Sequence, residues 1–225
     1  MNKQGPNKIS WTDFTWNPVT GCKHGCEYCY ARKIAERFKG TDAWPNGFSP
    51  TLHVNRLEIP KKTKAGTKIF VCSMADLFGE WVPKGWINSV MEVVKDRPDL
   101  IFQFLTKNPK RLAEFNPWPE NCWVGSSVFN AHSMFVALKT LTHVEAKVRF
   151  VSAEPIISYL GGHAFKGIVD WVIMGAMTGP GATKPESWWI KEIMEWIDKD
   201  ATPVFMKSNL MPYWDEELRQ EFPQR

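Results

Sequence analysis

The chain has 225 residues, a length that suits one domain with a sizeable core. Its composition, 44% hydrophobic and 23% charged, is typical of globular proteins and excludes the collagen-like, coiled-coil and disordered classes. The formal net charge of +4 permits an acidic partner without requiring one. Because no stretch approaches the ~18 apolar residues of a membrane span and the first ten residues are polar, we expect a cytoplasmic protein with no membrane partner.

Seven short apolar and β-branched runs predict β-strands. They cover residues 14–20, 68–73, 100–106, 123–128, 148–153, 171–175 and 203–207. Amphipathic patterns between the strands predict five helices, at residues 30–38, 84–95, 110–115, 131–141 and 186–199. Strands that alternate with helices in this way form right-handed βαβ units and a parallel sheet.

The number of strands limits the architecture. A complete eight-unit barrel takes about 250 residues in the typical case, and this chain has too few strands for one. We therefore predict an α/β fold: a partial (βα)6-type TIM-like barrel with an additional strand, a long connection over residues 40–65 and a C-terminal tail over residues 208–225 that packs as a cap. Functional groups are expected on the loops that follow the carboxyl ends of the strands.

Three of the five cysteines, Cys22, Cys26 and Cys29, lie within eight residues, after the first predicted strand and before the first predicted helix. An odd number of clustered cysteines favours metal or cofactor ligation over a disulfide framework. The Cys-x3-Cys-x2-Cys spacing can ligate three irons of a [4Fe-4S] cluster and leave the fourth iron open. The alternatives are a structural zinc site, with His24 or a remote cysteine as fourth ligand, and a zinc- or iron-sulfur-dependent module for nucleic-acid binding or electron transfer.

The cysteine loop, with Tyr28 just before the third cysteine, resembles the signature of the radical S-adenosylmethionine (SAM) superfamily. Nearly the whole chain resembles the small, largely phage-associated radical SAM proteins of unassigned substrate. The motifs that carry this resemblance are WTD at 11–13, TWNP at 15–18, SMADLF at 73–78, LTKNP at 105–109, SAEP at 152–155 and WVIMG at 171–175.

The resemblance implies a single radical SAM domain over residues 1–225. It also implies a [4Fe-4S] cluster on Cys22, Cys26 and Cys29 whose open iron chelates the amino and carboxylate groups of SAM. In that family an injected electron cleaves SAM to a 5′-deoxyadenosyl radical, which abstracts hydrogen from unactivated carbon. An electron donor of the flavodoxin or ferredoxin type is then required, and we expect a monomer in the cytoplasm, or in the host cytoplasm if the gene is of phage origin.

The resemblance further implies that SAM contacts lie at the ends of the strands. The candidates after the second strand are Ser73, Met74 and Asp76, although Asp76 could equally cap the next turn. The remaining candidates are Ser126, Ser127, Gly175 and Tyr28, of which the two serines suit the ribose or carboxylate but are also common turn residues. Gly175 would allow close approach by the adenine, because glycine has no Cβ, and Tyr28 would pack on the same ring.

Glu154 is the main candidate for a catalytic residue. Strand alternation places Phe150, Ser152 and Glu154 on one face, and if that face is the interior the carboxylate points at the barrel mouth. A carboxylate there needs a cationic or hydrogen-bonding partner, so we expect it to contact the cofactor, the substrate, Lys107 or Lys207. A structural ion pair is the alternative. Glu154, Lys107 and Lys207 are therefore the predicted catalytic residues.

The sequence departs from the family pattern at three places. Phe129 and Met177 stand where the family has glutamate, and KSNL at 207–210 replaces KQWG. The loss of two acidic groups leaves SAM cleavage plausible and the substrate open. The phage association of the family implies a nucleotide or DNA substrate, with rearrangement of a modified base's side chain as the expected type of reaction.

A base within DNA would have to be flipped out of the helix, with nearby cations on its phosphates. The basic candidates are Lys61, Lys62, Lys64, Lys107, Lys110 and Arg111, although such runs are more often solvated surface. Of the 12 tryptophans, Trp44, Trp81 and Trp118 lie in connections and are the candidates for stacking on a base.

Overall fold

The structure is a computed structural model that describes residues 1–5, 8–161 and 165–224. The chain divides into two compact units, and both alternate strands with helices. The first unit comprises Met1–Asn108 and Pro119–Cys122, and the second comprises Pro109–Trp118 and Trp123–Arg225. The predicted α/β class is confirmed, and the expectation of a single domain stays a prediction. In the described residues, no helix combines the length and the hydropathy that crossing a membrane requires.

The first unit is built on three parallel strands. Its strands are β1 (Asn2–Lys3), β2 (Phe14–Trp16), β3 (Val19–Thr20), β4 (Thr51–Leu52), β5 (Lys68–Val71) and β6 (Ile101–Thr106), and its α-helices are α1 (Tyr30–Arg37) and α2 (Lys84–Lys95). The parallel pairs are β2 with β5 and β5 with β6, whereas β1 pairs antiparallel with β2. β3 and β4 form a separate antiparallel pair.

The predicted strand over residues 14–20 is wrong as a single strand. It is interrupted between β2 and β3 at Asn17 and Pro18, and the two pieces belong to different sheets. The physical reason is that proline has no N–H to donate to a ladder. The predicted connection over residues 40–65 carries β4 and two 3-10 helices, Val54–Arg56 and Ile59–Lys62.

The second unit has four parallel strands. They are β7 (Cys122–Val128, of which residues 123–128 belong to this unit), β8 (Val148–Ala153), β9 (Trp171–Met174) and β10 (Val204–Met206). β8 pairs with β7 and β9, and β9 pairs with β10. The helices are α3 (Ala131–Leu141), α4 (Ser187–Asp200) and the 3-10 helices Pro109–Phe115 and Ser208–Tyr213. The predicted helix at 110–115 is therefore 3-10 rather than α.

The C-terminal tail packs on the second unit. The Trp171 indole N–H donates to the Glu221 carbonyl at 2.9 Å, and the Phe222 ring stacks on Trp171 with ring centroids 5.5 Å apart. Phe205 pairs with Gln220 in an antiparallel bridge beside β10. The prediction that the tail packs as a cap is confirmed for this unit.

The tryptophans suspected of base stacking are mostly core residues. Trp44 and Trp118 are 6% and 4% exposed, so the base-stacking interpretation is wrong for both. Trp81 is half-buried, and its ring lies over Gly79, where an added Cβ would come within 2.4 Å of the indole. Trp44 and Trp118 are thus buried anchors of the connections in which they lie.

His53 gives the fold a pH dependence that can be tested. Its buried imidazole Nε2 lies 2.8 Å from the Thr20 hydroxyl, and burial together with the nearby Arg56 lowers the pKa of His53 from 6.5 to about 4. The unfolded chain therefore takes up a proton near pH 6.5 that the folded chain takes up only near pH 4. It follows that this residue's contribution to stability falls as the pH drops through that window.

We expect the shifted protonation of His53 to lower the free energy of unfolding by about 1 to 2 kcal/mol when the pH falls from 7 to 5. The measurement is urea unfolding at both pH values for the parent and for His53→Gln, which cannot titrate there. The variant should show a smaller loss than the parent by that amount. Equal losses in the two proteins would show that His53 is protonated in the folded state at the same pH as in the unfolded state.

Candidate functional site

The cysteine loop begins at a turn that only glycine accommodates. Gly21 has φ +86°, and a Cβ at this position would lie 2.3 Å from the Ser49 carbonyl oxygen. The Gly21 N–H donates to the Met74 carbonyl at 3.0 Å, and the Cys22 N–H donates to the Phe48 carbonyl at 3.2 Å. The chain that leaves β3 is therefore held by backbone hydrogen bonds at Gly21 and at the first cysteine, Cys22.

Cys22, Cys26 and Cys29 are half-buried free thiols. Cys22 and Cys29 pack against a buried apolar cluster, which comprises Ala31, Ala35, Trp44 and Phe48. Cys29 occupies the N-cap position of α1, and its N–H donates to the Cys26 carbonyl at 3.2 Å.

Burial, opposed by a hydrogen bond from the His24 backbone and assisted by the nearby charges of Asp76, Cys26 and Cys29, raises the pKa of the Cys22 thiol to about 11. Metal ligation takes the thiolate form, so binding of a cation by Cys22 would release a proton. In the ranges 1–5, 8–161 and 165–224, no three His, Cys, Asp or Glu side chains are gathered as a site for a single metal ion. The donor set of three free thiols beside an apolar cluster nevertheless fits the chemistry of an iron-sulfur cluster.

The two other cysteines are packing residues. Cys72 and Cys122 are 3% and 0% exposed, and burial raises the pKa of both thiols, that of Cys72 to about 12. A thiol that is so deeply buried in apolar surroundings is a poor source of thiolate. The loop thiols are accordingly the cysteines suited to ligation.

Asp76 lies in the segment that follows β5 and is only 5% exposed. Its Oδ1 accepts hydrogen bonds from the Phe78 N–H at 3.0 Å and the Thr106 hydroxyl at 2.7 Å. Its Oδ2 accepts from the Lys107 N–H at 2.8 Å and from His24 Nε2 at 2.7 Å. Of the two roles considered for Asp76, the turn cap is present in this geometry, and the contact with SAM stays a prediction.

Lys107 and Tyr28, which were predicted to serve separate purposes, are in contact. The Lys107 ammonium donates to the Tyr28 hydroxyl at 2.7 Å and lies 5.1 Å from the centre of the ring. The second distance is within the range of a cation–π interaction. The expected packing of Tyr28 on adenine stays a prediction.

Ser73 and Met74 are held by a residue that the sequence reasoning missed. The Asn17 side-chain oxygen accepts from the Ser73 hydroxyl at 3.2 Å and from the Met74 N–H at 3.0 Å. The Tyr30 hydroxyl donates to the Ser73 carbonyl at 2.8 Å. Asn17 belongs to the TWNP motif, so the signal was visible in the sequence, but its partner lies more than fifty residues away.

The second unit contains the other predicted catalytic residues. The Lys207 ammonium donates to the Glu154 carboxylate, and both side chains are about a fifth exposed, at 17% and 25%. An added Cβ on Gly175 would lie 3.0 Å from Lys207 Cδ and 3.2 Å from Glu154 Cδ. The expectation that Glu154 contacts Lys207 is thus met. The absence of a Cβ at Gly175 leaves room for this ion pair, and the predicted approach of adenine to Gly175 stays a prediction.

Further polar groups of the second unit lie on its strands and in the segments that follow them. The Asn209 side chain accepts from the Ala176 N–H at 3.1 Å and donates to the Ala176 carbonyl at 2.8 Å. Ser126 is buried and Ser127 is half-buried on β7. The buried Ser152 hydroxyl has no hydrogen-bond partner in the part of the chain that the structure describes. An unsatisfied buried hydroxyl usually calls for an explanation such as a bound water or ligand.

Comparison with known proteins supplies the family. The family described as "Protein of unknown function (DUF5131)" matches residues 6–218. The chain belongs to this family. No curated protein matches its sequence.

The fold of this DUF5131 protein is similar to that of spore photoproduct lyase. Three solved structures of that enzyme each match with a TM-score of 0.60 and 10% identity over 92% of this chain and 78% of that chain. They are a complex with dinucleoside spore photoproduct, a single mutant with the same dinucleoside, and a double mutant with bound AdoMet and the dinucleoside. The likeness confirms the predicted fold class.

A double-mutant cycle on Glu154 and Lys207 measures the strength of the predicted ion pair. We expect Glu154→Gln, Lys207→Gln and the double variant to reveal a coupling free energy of about 1 kcal/mol in urea unfolding, because the pair is partly screened by water. The coupling should persist at 0.5 M salt because most of the pair is buried. Additive effects of the two substitutions would show that the contact contributes nothing to stability.

Proposed function

We propose that this DUF5131 protein is a radical SAM enzyme that holds a [4Fe-4S] cluster through Cys22, Cys26 and Cys29. The observation that carries the proposal is the position of three free, half-buried thiols on one loop before α1. That loop belongs to a fold shared with spore photoproduct lyase, for which a complex with AdoMet is known. A likeness of fold alone would not suffice, and the cysteine spacing supplies the specific chemistry.

When bound, the cluster and SAM supply a reductive cleavage that yields a 5′-deoxyadenosyl radical for hydrogen abstraction. The chain's own contribution is to ligate and to orient. In the first unit, the turn at Ser73 and Met74 is held by Asn17 and is proposed to contact SAM. In the second unit, the proposed contacts are Ser126, Ser127, Glu154 and Gly175, and the unsatisfied Ser152 hydroxyl is consistent with a ligand on β8.

We propose a nucleotide or a base side chain in DNA as the substrate, with a rearrangement as the reaction. The observation that supports this choice is the dinucleoside in the complexes of spore photoproduct lyase, and the net charge of +4 permits such a partner. An external donor of the flavodoxin or ferredoxin type, a monomeric state and a cytoplasmic location complete the proposal.

Three of the basic groups considered for phosphate binding make contacts within the protein. Lys61 pairs with Glu58 at 2.5 Å, Arg111 lies 3.9 Å from Glu114, and Lys107 donates to Tyr28. The charges of Lys61 and Arg111 are therefore partly neutralised by glutamates, and the Lys107 ammonium already has a hydrogen-bond partner. The phosphate role of Lys62, Lys64 and Lys110, which are exposed, stays a prediction.

Substitution of one loop cysteine should abolish the chemistry. Anaerobically reconstituted parent protein should bind about four irons per chain and form 5′-deoxyadenosine from SAM and dithionite. Cys26→Ala should bind less than half of that iron and form no product, because one thiolate ligand is lost. The matched control is Cys122→Ala, which removes a buried packing thiol and should retain both iron and product formation.

Two other outcomes would contradict the proposal. Colourless parent protein with about one zinc and no iron would indicate a zinc module. A reversible cluster whose spectrum does not respond to SAM, with no 5′-deoxyadenosine formed, would indicate an electron-transfer protein.

The substrate class is tested in cells that express the parent or Cys26→Ala. We expect mass spectrometry to find a nucleoside of altered mass, in DNA or in the free nucleotide pool, only with the parent. The inactive variant controls for expression of the folded chain. An unchanged nucleoside profile alongside a changed small metabolite would overturn the nucleotide assignment and leave the radical SAM assignment intact.

A further inference from the structure

The buried carboxylate of Asp76 joins the cysteine loop to the end of β6. On one side it accepts from the Thr106 hydroxyl and the Lys107 N–H, and on the other it accepts from His24 Nε2 at 2.7 Å. An ionised carboxylate has acceptors and no donor, so its hydrogen bond with His24 uses the tautomer in which Nε2 is the donor. The His24 ring also packs edge-on against Trp81, with ring centroids 4.8 Å apart. The orientation of the His24 ring is therefore fixed by two contacts, the hydrogen bond with Asp76 and the packing against Trp81.

A second tether lies four residues further along the loop. Lys107, whose N–H already bonds Asp76, donates through its ammonium to the Tyr28 hydroxyl at 2.7 Å. His24 and Tyr28 are thus tied to the same short segment at the end of β6. Cys26 lies midway between these two tied residues in the sequence.

The outer cysteines are held by the backbone. The Cys22 N–H donates to the Phe48 carbonyl, and Cys29 is the N-cap of α1, with its own N–H bonded to the Cys26 carbonyl. A loop that is already ordered loses less conformational entropy when it takes up a ligand. Each cysteine of the loop consequently lies next to, or between, points that are anchored in the apoprotein.

We propose that His24 and Asp76 are positioning residues for the iron-sulfur cluster, and that Asp76 acts through His24 rather than through contact with SAM. The inference rests on the proposed function and gives a role to His24, one of the three residues between Cys22 and Cys26. His24 holds the loop between Cys22 and Cys26, and Asp76 fixes the orientation of the His24 ring. Groups that orient metal ligands in this manner typically change metal affinity by 10- to 100-fold when they are removed.

The experiment compares four reconstituted holoproteins, namely the parent, His24→Ala, His24→Gln and Lys23→Ala. Lys23 is the matched control because it lies on the same loop with an exposed side chain. The readouts are the rate at which a chelator removes iron and the electron paramagnetic resonance spectrum of the reduced cluster. We expect iron loss from His24→Ala to be about 10-fold faster than from the parent, with no change for Lys23→Ala. His24→Gln, whose amide can donate to Asp76, should recover most of the difference.

A second comparison tests whether the two residues act as one unit. Asp76→Asn should also release iron faster, and adding His24→Ala to it should produce no further acceleration. Additive rates would overturn the pairing. Thermal unfolding of the apoproteins provides the control for folding, because a His24→Ala apoprotein that melts well below Lys23→Ala would indicate a general stability role instead.

The inference and the proposed function fail in different ways. Equal iron loss from His24→Ala and Lys23→Ala, or no recovery in His24→Gln, would overturn the inference alone while the parent still holds its cluster. A nitrogen coupling from His24 in the resonance spectrum would make it an iron ligand, which also overturns a positioning role. A parent protein that binds no iron would overturn the proposed function and the inference with it.

Discussion

The first unit depends on one buried carboxylate. Burying an ionised carboxylate without partners costs several kcal/mol or more, and Asp76 avoids this cost by accepting four hydrogen bonds. Its donors come from its own turn, from the end of β6 and from the cysteine loop. The same requirement that makes Asp76 tolerable in the core therefore joins the ends of two parallel strands to the segment with the loop thiols.

In the second unit, a partly buried carboxylate is stabilised by an ion pair. Glu154 follows β8 and accepts from Lys207, which follows β10, and Gly175 after β9 leaves the space in which they meet. Three neighbouring parallel strands thus each end in a residue that the pair requires. The carboxyl ends of parallel strands are where functional groups gather, and in both units the acidic groups found there are already satisfied by the protein. A satisfied carboxylate holds its neighbours in place, which suits the proposed function, in which bound cofactors would supply the reactive groups.

Local sequence patterns predicted the positions of most helices and strands. Four helices and most strands lie close to their predicted bounds, because apolar periodicity reports which face of an element is buried. The strand over residues 14–20 failed because an apolar run does not reveal which partner each half pairs with. Trp44 and Trp118 were misassigned because a tryptophan in a connection can be an anchor or an exposed platform, and only burial distinguishes the two.

The sequence by itself determined the donor set. Three cysteines within eight residues are close in space whatever the rest of the chain does, so their spacing was sufficient to predict a shared ligand. Only the tertiary structure decided what the neighbouring polar groups do. The partners of Asp76 at Thr106, Lys107 and His24 lie 30, 31 and 52 residues away in the chain. Whether a carboxylate caps a turn, binds a cofactor or holds a histidine depends on which donors reach it, and packing of distant segments is what brings those donors together.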